Sequence, residues 1–220
     1  MKNIPIHSAD GAPMQTPGKL PFAVPTQALA DAITAEWKEA KGKFSTTKMP
    51  LTALAYTAID RIGNQKEMIV EVLMAYIDTD TLSYRATGSE NLAKVQDEQW
   101  TPILAWAKKS LGVTWEVTSG VMPLDQPEAL HKALSKRLST LSSMQLSACC
   151  LLASGFSSLV LMLAVLEKHI SAEKAFHLSR LEEESQAEVW GRDPEADARA
   201  ERLKAEILAT AQFLGLLDKP

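Results

Sequence analysis

The chain is short of several things, and each shortage excludes a class of protein. Only two cysteines occur in 220 residues, and they are neighbours, Cys149 and Cys150, inside an apolar run. That excludes a disulfide framework and points to a reducing compartment. Aromatics make up only 6%, yet 46% of residues are apolar and 23% charged, a balance that supports a core and excludes disordered or collagen-like chains. Positive charge is in deficit: a formal net charge of −4 and a pI near 5.6 provide no field for nucleic acid. The phosphate-binding glycine loops, the two-histidine zinc helix and the serine elbow of hydrolases are all absent. His7, His131, His169 and His177 are scattered without ligand spacing. No catalytic residue, metal or cofactor is therefore expected. The opening MKNIPIHSADGAP has neither the apolar region of a signal peptide nor the basic amphipathic pattern of an organelle presequence. A bacterial cytoplasmic protein is the expectation.

Charge is also missing locally. Between Leu138 and Leu166 no charged residue occurs, and a window of about 19 residues ending at Leu166 passes a hydropathy threshold for a spanning helix. Serines at 139, 142, 143, 147, 154, 157 and 158 interrupt it, and no aromatic belt or one-sided lysine cluster flanks it. From residues alone this segment reads as the long central helix of a bundle or as a membrane anchor.

What is present is mostly helical periodicity. The first 25 residues are rich in Pro and Gly and carry the turn signal Asp10-Gly11, so short strands are expected there. Thr26 caps a helix lined by Leu29, Ile33 and Trp37, and Pro50 opens a second that ends at Gly63. Asn64 with Glu67 opens a third, and Ser89 a fourth, with a restart expected at Thr101-Pro102. Val113, Trp115 and Val117 alternate with polar residues as a strand, whose partner is expected in the N-terminal hairpin. Beyond Pro127 everything reads helical: the Leu130 to Leu141 stripe, the apolar stretch, one helix from Ser171 to Trp190, and a last one after Asp193-Pro194. The fold class is α+β and mostly helical. Residues 1–65, joined by a strand at 113–121, form a small N-terminal α+β part, and 66–220 a helical bundle.

The acidity is concentrated. From Ser171 to Glu206 there are ten acids and six bases, so the whole net charge of −4 resides in this segment. A solvated helix with pairs such as Arg180 with Glu184 explains much of it. Three adjacent acids, Glu182, Glu183 and Glu184, followed by Gln186, Trp190 and Gly191, exceed what solubility needs. Helical spacing sets Glu183, Gln186 and Trp190 along one stripe and turns Glu182 elsewhere. A hydrolase using Glu183 and Glu184 is the rival reading. Adjacent helical residues diverge by about 100°, poor geometry for flanking one scissile bond.

Here the sequence resembles the assembly chaperones of the F-type ATP synthase catalytic head, the family that attends the α subunit, known in mitochondria as assembly factor 2. The resemblance rests on Ser179-Arg180-Leu181-Glu182-Glu183-Glu184, Gln186 and Trp190-Gly191. Upstream it continues through Asp10-Gly11-x-Pro13, Thr16-Pro17, Pro25-Thr26-x-Ala28-Leu29-Ala30, Ala35-Glu36-Trp37, Met49-Pro50-Leu51-Thr52 and Thr57-Ala58-Ile59-Asp60. Thr79-Asp80-x-Leu82-x-Tyr84-Arg85-Ala86 and Gly120-Val121-Met122-Pro123 complete the ordered set. Ser185 departs from it, standing where the family usually carries an aromatic. The resemblance implies a monomeric chaperone, not an enzyme, with an orthogonal helical bundle and its apolar stretch buried rather than inserted in a membrane. Its partner would be the α subunit, held until β replaces it. Partner contacts would fall on Glu182, Glu183, Glu184, Gln186 and Trp190. Asp80, Tyr84 and Arg85 are secondary candidates, more in keeping with a turn in which Arg85 pairs with Asp80.

Overall fold

The computed structural model describes residues 3–8, 10–41, 43–120 and 122–218. As expected, the fold is mostly helical α+β, with strands only two residues long. Contacts divide the chain into two compact units, one of Met1–Ile69, Leu141–Ala148 and Leu208–Pro220, the other of Val70–Thr140 and Cys149–Ile207.

In the first unit, β1 (Ile4–Pro5) pairs antiparallel with β2 (Ala23–Val24), and isolated bridges join His7 to Pro13 and Gln15 to Pro21. The expected turn is there: Gly11 takes φ +82°, a left-handed conformation that glycine adopts without a Cβ penalty. Helix α1 (Gln27–Glu39) is capped by Thr26, whose hydroxyl oxygen accepts from Leu29 N. Leu29 and Ile33 then fall into the core with Phe22 and Val24. Glu36, at the far end of α1, caps α2 (Pro50–Thr57) from outside: its carboxylate accepts from Leu51 N at 2.9 Å and Thr52 N at 2.8 Å. This occupies two of the donors that every helix leaves unpaired at its start. The chain continues through one π-helical stretch, Ala58–Ile62, to Gly63, the stop expected from the sequence, and α3 (Lys66–Met74) follows.

In the second unit several expectations are corrected. Helix α4 (Glu90–Leu111), capped by Ser89, does not restart at Thr101-Pro102 but runs through Pro102. Pro102 and Glu98, whose carbonyl loses its partner there, are both exposed, which puts the lost bond on the solvent side of the helix. Residues 113–117 are not a strand. The strand is β4 (Thr118–Ser119), and its partner is not the N-terminal hairpin but β3 (Tyr84–Arg85), parallel to it, with Tyr84 opposite Thr118. Trp115 is instead fixed by its indole, which donates to Ser83 Oγ at 2.8 Å. Residue 121, the expected end of that strand, lies outside the described residues.

The apolar stretch is also not one helix. Behind α5 (Glu128–Ser139) it forms α6 (Ser143–Phe156) and α7 (Leu159–Leu166). The break is chemically specific: Ser157 adopts φ +48°, and Ser158 turns its hydroxyl to accept from Leu161 N as the cap of α7. Among the described residues no helix is long and apolar enough to cross a membrane. Every residue of α7 from Leu159 to Val165 is buried, so its all-round hydrophobicity is spent on the protein core. Packing against α6 is tight at Gly155, where an added Cβ would lie 3.1 Å from Ile207 Cδ1 and 3.3 Å from Leu203 Cδ1. Gly155→Val is expected to lower unfolding free energy by about 1–3 kcal/mol through overpacking, despite the helix-propensity gain over glycine. Urea denaturation followed by circular dichroism measures it, and an unchanged midpoint would show that the site relaxes freely.

Candidate functional site

The expected helix from Ser171 to Trp190 is two helices, α8 (Ala172–Ser179) and α9 (Leu181–Trp190), separated at Arg180, whose φ of −118° and ψ of 14° leave the helical region. The Arg180 guanidinium lies over the Phe176 ring, 5.6 Å from its centre, which ties the junction to α8. The break places Glu182, Glu183 and Glu184 in the first turn of a new helix, where the positive end of its dipole favours them.

Each acid meets a different neighbour. Arg180 pairs with Glu183 at 3.7 Å, not with Glu184 as the i, i+4 spacing suggested. Glu184 instead faces His177 Nδ1 at 3.2 Å. Glu182 accepts a hydrogen bond from the Gln186 side-chain amide at 3.4 Å, so it shares a face with Gln186 rather than pointing elsewhere. Glu183 and Glu184 thus point to different partners and do not flank a common space.

Only Leu181 of α9 is buried. At the other end Val189 is 70% exposed and Trp190 86% exposed. Trp190 therefore does not pack beneath the acidic patch. Gly191, at φ +91°, turns the chain away immediately afterward. The side chains of Glu182, Ser185, Gln186, Val189 and Trp190 form one wall of a groove of about 840 Å³. Thr79, the residues Tyr84 to Ser89, Leu92, Gly120 and Pro123 form the rest. A second recess of about 500 Å³ lies on the other flank, where Arg180 and Glu183 meet Thr81, Trp100 and Leu203.

The secondary candidates have other duties. Asp80 is fully buried; its carboxylate accepts from Leu82 N at 3.0 Å, Ser158 Oγ at 2.8 Å and Val160 N at 3.1 Å. It thereby caps the 3₁₀ turn Thr81–Ser83 and the start of α7 together. Burial pushes its pKa up to about 6, against the downward pull of those donors. Arg85 does not pair with Asp80. It is 7% exposed, bonded through Nε to Asp97 at 2.9 Å and through a terminal nitrogen to Leu82 O at 2.7 Å, and lies 5.0 Å from the centre of the Trp100 ring. Tyr84 donates its hydroxyl to Asp78 O at 2.5 Å and lines the groove. Tyr84 and Arg85 line the groove, and Asp80 holds the turn that precedes them.

Sequence reasoning missed Ser185 as an open wall position, Val189, and the loop Ala86 to Ser89. Val189 was detectable as an apolar residue beside Trp190 in a helix otherwise polar after Leu181. The loop was not, since it lies about a hundred positions upstream. No group of three or more His, Cys, Asp or Glu able to hold a metal occurs among the described residues. Burial raises the thiols of Cys149 to about 12 and Cys150 to about 11, which makes them packing residues at neutral pH.

An acidic helix tipped with exposed valine and tryptophan stands over a groove, and the class of protein that carries it, by its likeness to known proteins, is chaperone. Comparison with known proteins specifies it. Residues 7–108 match the family described as ATP12 chaperone protein. Atp12 from Paracoccus denitrificans, known from its crystal structure, is similar at 38% identity and a TM-score of 0.90, over 94% of this chain and 89% of that one. A point mutant of the same protein gives a TM-score of 0.91 at 38% identity, over 96% and 90%. The mitochondrial protein atp12 of Schizosaccharomyces pombe is 27% identical over 215 residues, 92% of this chain and 74% of that protein. The chain belongs to the ATP12 chaperone family, the F-type ATP synthase assembly chaperones that its sequence resembles.

Proposed function

We propose that this chaperone captures the free α subunit of the F-type ATP synthase catalytic head and holds it until β takes its place. The observation that carries this reading is α9, which leaves Trp190 86% exposed beside a run of acids that folding does not require. A newly made subunit exposes the surface that its neighbour will later cover, and such a surface aggregates unless shielded. The shield must be displaceable, which suits electrostatic capture with a few apolar anchors better than a large dry interface. In this reading Glu182, Glu183, Glu184 and Gln186 contact α, Trp190 anchors it, and the chaperone acts as a cytoplasmic monomer without cofactor or catalysis.

Co-expression with the α subunit followed by gel filtration tests it. A one-to-one pair that dissolves when purified β is added is the expected result. Failure of wild-type chaperone to co-elute with α would overturn it.

A further inference from the structure

We infer that the groove between α9 and the loop after β3 takes an extended polypeptide segment of the client, carrying a lysine or arginine next to a large apolar side chain. This deepens the reading above and rests on it for the identity of the client, though not for the chemistry of the groove. That chemistry follows from charge, room and exposure.

Charge comes first. Glu182 lies in the groove wall, where among the described residues its carboxylate meets the neutral amide of Gln186 and no cation. The other two acids are engaged, by Arg180 and His177. Among the described residues Arg85 is the one cation of the groove lining, and it is buried against Asp97. That leaves Glu182 as the one charge of the described lining without an opposite partner, and a single cationic side chain fits it.

Room and exposure define the rest of the occupant. Glu182, Ser185, Gln186 and Val189 follow the i, i+3, i+4, i+7 stripe of one helix face, and Ser185 is its smallest member, leaving the middle of the wall open. Across from it, a Cβ built on Gly88 would meet nothing within 4 Å, so the loop side is open as well. The wall ends in Val189 and Trp190, 70% and 86% exposed. Folding gains nothing from apolar groups left in water, and their place on the wall that carries Glu182 provides the contact for an apolar side chain next to the cation.

Fluorescence anisotropy of labelled pentapeptides on the full chain tests the inference. The probes are Lys-Phe-Lys-Leu-Lys and its twin with glutamate in place of each lysine. The lysine peptide should bind saturably, shift the emission of exposed Trp190, and bind at least ten-fold more tightly than its twin. Gly88→Phe fills the groove from the loop side without altering charge and should weaken that binding at least ten-fold while the melting temperature holds. Glu182→Gln should weaken it several-fold and serves as the readout if Gly88→Phe does not fold. Equal binding of the two peptides, or undiminished binding by both variants, would overturn the inference. Co-elution with the α subunit separates the two claims. A wild-type chaperone that captures α while a folded Gly88→Phe captures it equally well sinks the groove and leaves the function standing. Lysine-peptide binding without any capture of α sinks the function and leaves the groove.

Discussion

Replacing Glu183 and Glu184 together by lysine should reduce capture of the α subunit at least a hundred-fold, about 3 kcal/mol, while the protein stays folded. The size of the effect comes from sign reversal at two adjacent positions, which turns an attracting helix end into a repelling one. The fold tolerates it because both side chains are about half exposed, 52% for Glu183 and 41% for Glu184, and exposed ion pairs contribute little. Two lysines in the first turn do oppose the helix dipole and crowd Arg180 and His177, so a loss of about 1–2 kcal/mol and a fall of a few degrees in melting temperature are expected. The Glu183→Gln, Glu184→Gln pair should fall between wild type and the reversal. Gel filtration with α reads the capture and calorimetry the stability. A double-lysine variant that holds α as wild type does would move the contact off α9.

The largest loss of stability is expected at Asp80, which no partner can reach. Asp80→Ala removes the acceptor for Leu82 N, Ser158 Oγ and Val160 N at once, inside the core. A buried donor left unpaired costs about 1–3 kcal/mol, and relief of the carboxylate's own desolvation offsets part of the sum, so a loss of about 3–5 kcal/mol is expected. Asp80→Asn keeps one acceptor oxygen but presents an amine to another donor, and should lose about half as much. The pH dependence has a definite sign. Because burial raises Asp80 from 3.8 to about 6, the folded state binds its proton more tightly than the unfolded state. Its stabilising contribution is fully present below pH 3.8 and is lost as pH rises through about 6, a difference of roughly 3 kcal/mol. Urea titrations at several pH values should show this trend in wild type and its removal in Asp80→Asn. The same slope in both proteins would assign the pH dependence to other groups.

The correct and the mistaken readings of the sequence divide along a physical line. Thr26 was legible as a cap, and Ser89 and Ser171 as helix starts, because a cap hydroxyl bonds a donor only two or three residues away. The turn at Asp10-Gly11 and the stop at Gly63 were legible for the same reason. The break at Ser157-Ser158 is just as local, yet apolar residues on both sides concealed it from a reading based on hydrophobic runs. The partner of β4 was not legible: pairing with Tyr84 and Arg85 spans more than thirty residues, and nothing in a two-residue strand announces its mate. Arg85 shows the same limit in one side chain. Asp80 is nearer in sequence than Asp97, but α4 carries Asp97 to the guanidinium while Asp80 is turned inward to cap α7.

For the site the division is similar. The sequence by itself determined that the chain's acidity resides on its last helices, that Glu182 to Trp190 is the segment to watch, and to which family the whole belongs, because composition and motif order need no coordinates. Only the tertiary structure decided which way α9 faces. Its side chains carry almost no amphipathic pattern, and a helix anchored by one buried residue, Leu181, has its rotation set by the Arg180 junction rather than by its own hydrophobic stripe. That rotation turns Glu182, Ser185 and Val189 toward a loop encoded about a hundred residues earlier, which makes an acidic segment into the wall of a groove.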